Sequence, residues 1–102
     1  MSEIERLSRK LKALAHPLRL KIVILLANEG KDMYLTQIAN SLGINRALAK
    51  IHLKKLEREK IVKSQVVLVE GEARALRYYK LLDFDIHVSA ELLKKEGKRY
   101  EK

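Results

Sequence analysis

The sequence predicts a mainly α-helical fold with a small β-hairpin (α+β): five helices and two strands. Three observations carry this expectation. Apolar residues recur at helical spacing up to about residue 60. β-Branched and aromatic residues then cluster on either side of Glu70-Gly71-Glu72-Ala73. A tight turn containing Gly43 joins two closely spaced helical segments. At 102 residues the chain has room for one domain, taken as 1–102. A core of that size is modest, so a partner subunit would stabilise it.

Residues 3–14 place Ile4, Leu7, Leu11 and Leu14 at 3-4-3 spacing, one apolar stripe on a helix whose other face carries Glu3, Arg6, Arg9, Lys10 and Lys12. So narrow a stripe either caps its own core or pairs with another chain. Pro17 pushes His16 out of the helical region and suits a first helical turn, so a second helix is expected from Pro17 to Glu29, ended by Gly30. Leu18, Leu20, Ile22, Val23, Leu25 and Leu26 make it apolar nearly all round, the central core helix. Thr36 can cap a short third helix, Thr36 to Leu42, which packs Ile38, Ala39 and Leu42 inward. Asn45 is a good N-cap for a fourth helix reaching Lys60. Helix, Gly-containing turn, helix is the local pattern of a helix-turn-helix. Strands are expected over Ile61–Val69 and Ala75–Leu82, a hairpin that makes a wing. A fifth helix is expected over Asp85–Lys95 with Ile86, Ala90 and Leu93 on one face, and the charged tail after Gly97 should fray.

The composition excludes several classes. Apolar residues make up 47%, too many for a disordered chain. No apolar run is long enough to span a membrane, and MSEIERLSRK has no apolar signal core, so a cytoplasmic location is expected. Without cysteine there is no disulfide or thiolate metal site. The net charge of +9 suggests a polyanionic partner.

The fourth helix concentrates that charge. Between Asn45 and Lys60 stand six Lys or Arg and two Glu, and both acids, Glu57 and Glu59, lie near the C-terminal end. Ala49, Leu53 and Leu56 fall at i, i+4, i+7 and should face the core, while Arg46, Lys50 and Lys54 fall at i, i+4, i+8 as one cationic row on the opposite side. The helix dipole adds positive potential at the N-terminal end, the end that a recognition helix presents to the major groove. Lys and Arg supply affinity for phosphates. Asn45 and Arg46 have the paired hydrogen-bonding groups that read adenine and guanine, and the small Ala47 permits close approach.

The segments LKALAHPLRLKIVILL, LTQIANSLGINRALAKIHLKKLEREKIV and RYYKL resemble the ArsR-type regulators across residues 7–82. The resemblance implies a winged-helix homodimer, its first and last helices (about 3–14 and 85–95) forming the interface, acting as a repressor or related regulator on a near-palindromic operator. It implies DNA contact by Thr36, Gln37, Asn45, Arg46, Ala47, Lys50 and Lys54. The interface would comprise Ile4, Leu7, Leu11, Leu14, Ile86, Ala90 and Leu93. Two positions depart from the family: Ile51 replaces an often polar or basic residue, and Leu48 an often hydroxyl-bearing one. These side chains can pack on thymine methyls or on protein. Glu70 and Glu72 would repel phosphate at the wing tip, so wing contacts are expected from Lys63 or Arg74.

Family metal sensors use cysteines on the third helix or paired His and carboxylate ligands on the last helix. Asp85-x-His87 resembles half of such a site, but Lys98 and Glu101 stand where its second half belongs, so no metal and no cofactor is expected. His16 reads as a capping or packing residue, and His52 as structural or near phosphate. Of Tyr78 and Tyr79, adjacent on a strand, one should be core and one surface. No serine stands in a nucleophile motif and no Gly-rich loop cradles phosphate, so no catalytic residue is expected. The sequence thus points to a dimeric regulator of duplex DNA. An architectural DNA-binding protein of low specificity and a winged-helix protein-interaction module are the alternatives.

Overall fold

The computed structural model describes residues 2–71 and 74–100, with side chains up to residue 97. Among the described residues the order is α1 (Glu3–Leu14), α2 (Pro17–Glu29), β1 (Met33–Tyr34), α3 (Leu35–Leu42), α4 (Arg46–Arg58), β2 (Val62–Leu68), β3 (Ala75–Leu81) and α5 (Ala90–Tyr100). The strands form one antiparallel sheet in the order β1-β3-β2.

Capping chemistry sets the helix boundaries. Ser2 Oγ accepts the Glu5 amide at the start of α1. His16 Nδ1 accepts the Leu18 amide at the start of α2, with Pro17 in the first turn, where its missing N–H costs nothing. The turn between α3 and α4 depends on Gly43 at φ +67°: its amide bonds to the Asn40 carbonyl and the Ile44 amide to the Ala39 carbonyl. The same pair of bonds closes α4, from Lys60 to Glu57 and from Ile61 to Leu56. There the left-handed position is held by a lysine, Lys60 at φ +60°.

The core lies between α2, α3, α4 and the base of the sheet. Ile22, Leu26, Met33, Ile38, Leu53, Leu56, Ile61, Val62 and Tyr79 form one buried cluster. Alternation along β2 and β3 sends Val62 and Tyr79 into it and turns Lys63 and Lys80, directly opposite each other, to solvent. Tyr79 is therefore the core member of the tyrosine pair; Tyr78 is half-buried and meets Tyr34 edge-on at 5.7 Å.

Four expectations are corrected. The sheet has a third strand, β1, two residues long and so too short to show any period. The third helix begins at Leu35, with Tyr34 as N-cap residue, so Thr36 lies inside it. The last helix starts at Ala90, not Asp85: Ser89 Oγ accepts the Leu92 amide and Asp85 to Val88 form no helix. Its end is Tyr100, so the helix passes through Gly97. Finally, α2 is not buried all round: Leu20 and Ile24 are exposed, while Arg19 is only 8% exposed.

Candidate nucleic-acid interface

Helix α4 is anchored by one face. Ala49, Leu53 and Leu56 are fully buried, as their spacing requires, and His52 joins them at 6% exposure. Beneath it lies a polar junction. Arg19 donates from Nε to the Ala13 carbonyl at 2.6 Å and from Nη1 to His52 Nδ1 at 3.2 Å. A guanidinium only donates, so His52 Nδ1 is the acceptor and the ring proton sits on Nε2. The His16 ring lies 4.4 Å from that of His52. Burial, with the positive fields of His16, Arg19 and Lys55 behind it, holds the His52 pKa below its ordinary 6.5. His52 is thus a structural residue that ties α4 to α1 and α2 through Arg19, and its burial takes it away from any phosphate.

Both acids of α4 are engaged inside the molecule. Glu57 Oε2 accepts the Ser64 amide at 3.0 Å and the Ser64 hydroxyl at 2.7 Å, and Arg77 donates to that same hydroxyl at 3.0 Å. The wing base is thereby pinned to the helix. Glu59 pairs with Arg9 of α1 at 3.1 Å.

What remains outward is cationic. Arg46, Ala47, Lys50, Ile51, Lys54, Lys55 and Arg58 are all exposed. Each i, i+4 step advances about 40° around a helix. The row Arg46, Lys50, Lys54 therefore winds from one flank, at Arg46, onto the face opposite the core, at Lys54. The midline of the exposed face is Ala47, Ile51, Lys54 and Arg58, with Lys55 on the far flank. Leu48 is half-buried.

The other expected contacts fall unevenly. Asn45 is exposed, but its Oδ1 accepts the Leu48 amide at 2.8 Å as the α4 cap. Paired reading of an adenine needs both ends of that amide, and the cap already occupies one of the two lone pairs of Oδ1 and fixes its orientation. Thr36 and Gln37 are half-buried, and Gln37 Oε1 accepts the Tyr34 amide at 3.1 Å, so this residue helps to start α3. Lys63 lies at the wing base and Arg74 beside the wing turn, both exposed. Glu70 is exposed and Glu72 lies outside the described residues. Exposed cations outside the expected set include Lys55 and Arg58 on α4 and Lys80 on β3. Lys80 becomes apparent only from the β2–β3 register, which sets it across from Lys63. Arg58 is visible in the helical period once the face is centred on Ala47.

Along α1, Ile4 and Leu7 are half-buried and Leu11 is exposed, whereas Leu14 packs against the chain's own core. Ile4, Leu7, Ile86, Leu92 and Leu93 line a cleft of about 270 Å³ between α1 and the last helix. Ala90 and Leu93 are exposed. Asp85 and His87 are exposed on the segment before α5, and no group of metal-ligating side chains occurs among the described residues. The side chain of Lys98 and the whole of Glu101 lie outside the described residues. No described helix is long and apolar enough to cross a membrane.

Residues 16–64 match the model of the arsR family of bacterial regulatory proteins. The chain is 38% identical over 84 residues to a helix-turn-helix-type transcriptional regulator from Methanocaldococcus jannaschii, covering 82% of this chain and 84% of that protein. Its fold is similar to that of a homodimeric winged helix-turn-helix DNA-binding domain from Mycobacterium bovis (TM-score 0.63, 28% identity, 79% of this chain and 72% of that one). It is equally similar to a transcriptional regulator homologue from Pyrococcus horikoshii (TM-score 0.63, 25% identity, 97% and 86%). The elements, their order and the sequence match agree: the chain belongs to the ArsR family of winged helix-turn-helix transcriptional regulators.

Proposed function

We propose that the chain is a transcriptional repressor that binds duplex DNA as a homodimer, each subunit a single winged-helix unit with α4 in the major groove. The observation that carries this reading is the outer face of α4. Five cations are exposed there and both acids of the helix are tied to groups within the molecule. Phosphate attraction gives such a face affinity, and Arg46, near the N-terminal tip, is placed to form paired hydrogen bonds with a guanine. Lys63 and Lys80, side by side at the wing base, suit a flanking phosphate. Association through α1 and α5 would cover the exposed Leu11 and Leu93 and the half-buried Ile4 and Leu7. The homodimeric state of the Mycobacterium bovis domain supports a dimer.

Binding to duplexes selected from a random pool tests the reading. The two recognition helices should span one helical turn, about 34 Å. Arg46→Ala should relax base preference at one position in each half-site, and Lys54→Ala should weaken all sequences alike and reduce the salt slope by about 1. If both variants bind as the parent does, α4 is not the reading element. A monomeric mass by light scattering at micromolar concentration would remove the dimer. A specificity ratio below about tenfold over random duplex would favour the architectural alternative, since specific binders usually exceed about 10³.

A further inference from the structure

The outward midline of α4 begins with two apolar residues one turn apart, Ala47 and Ile51. Ile51 is 52% exposed, although an isoleucine gains nothing from water. Its surroundings are not those of an apolar protein contact. Arg46 and Lys50 stand on one flank and Lys55 on the other, with Lys54 and Arg58 further along the midline. A partner for this surface must be polyanionic around its edge and apolar at one point in the middle. The major groove of DNA has that composition. Phosphates rim it, and its one aliphatic group is the 5-methyl of thymine.

We infer that Ile51 reads a thymine methyl group and is a specificity-determining residue, with Ala47 clearing space for the helix to approach the base edges. This inference rests on the DNA-binding reading above. The chemistry suits the side chain. A β-branched residue on a helix has one strongly preferred χ1 rotamer, so its methyls are set in place before binding and little freedom is lost. A lysine or arginine there would reach past the methyl to phosphate or guanine, so the isoleucine shifts preference toward A·T pairs at that step. Leu48, half-buried, belongs to the helix anchor and takes no part.

Deoxyuridine isolates the effect, because it keeps every hydrogen-bonding group of thymine and removes only the methyl. A duplex is first selected from a random pool with the full chain. Each thymine of a half-site is then replaced in turn by deoxyuridine. Binding should weaken about three- to fivefold at one or two positions, the value of one buried methyl group. Ile51→Ala should bind the thymine and deoxyuridine duplexes equally. Ile51→Val, which keeps the branched carbon, should retain part of the difference. Both variants remain helix-compatible and the site is exposed, so folding is not at stake, and circular dichroism will verify this. Indifference to deoxyuridine at every position overturns the inference while leaving DNA binding intact. So does a penalty that survives in Ile51→Ala. If the pool yields no bound duplex, the DNA-binding reading fails and this inference with it.

Discussion

Helix α4 and the wing leave the core side by side, yet the chain equips them in opposite ways. The helix lays Ala49, Leu53 and Leu56 on the core and turns cations outward. The wing is anchored at its base, by Val62, Tyr79 and the Glu57–Ser64–Arg77 chain of hydrogen bonds. Beyond Ser64 the strands run past the core, and Val66 and Leu68 are exposed, Leu68 at 81%. A charged reading surface needs a rigid support, because each cation must be held at a fixed place against the groove. A two-stranded ribbon that is mostly exposed over its described residues supplies little of that support. On the DNA-binding reading proposed above, precise contact would belong to α4 and the wing would contribute from its base.

The contrast is broken most forcefully at Leu53. Leu53→Ala removes a fully buried side chain from under α4 and should cost about 2–5 kcal/mol in urea unfolding. Leu68→Ala on the wing should change stability by no more than about 0.5 kcal/mol. Comparable losses at both sites would show that the wing is packed in solution, and the distinction would fall.

The polar junction beneath α4 is the next target. Arg19→Ala leaves His52 Nδ1 buried without its donor and should cost about 1–3 kcal/mol. Acid probes the same group. The pKa of His52 is lower in the folded chain than its ordinary 6.5, so below pH 6.5 the unfolded chain binds the proton more readily. This contribution to stability is therefore complete above pH 6.5 and is lost as pH falls through 6.5 toward the folded value. Thermal unfolding of His52→Gln, whose amide oxygen can still accept from Arg19, should lack that part of the decline. A pH profile unchanged by the substitution would remove His52 as its source.

The smallest effect is expected where helix passes into wing. Lys60 holds a left-handed conformation, so Lys60→Gly should stabilise the chain by up to about 1 kcal/mol. A loss instead would mean that its side chain does more than close α4.

Much of this arrangement follows from local sequence alone. Periodicity and capping residues determine α1 and α2, the Gly43 turn and the body of α4, because an N-cap, a proline at a first turn and a left-handed glycine act within a few residues. The hairpin follows in the same way from β-branched strands around a turn. Other features were settled only by residues far apart in the chain. The strand Met33–Tyr34 exists because Tyr78 and Tyr79 lie beside it. The start of α5 was misplaced because Ile86, Ala90 and Leu93 keep helical spacing across a segment that is not helical before Ser89. Packing alone revealed that Arg19 and His52 are buried together, that Asn45 and Gln37 spend an oxygen on helix starts, and that Lys63 faces Lys80. A side chain's hydrogen bonds and exposure depend on what tertiary contact brings to it, whereas the turn of a helix depends chiefly on its immediate neighbours.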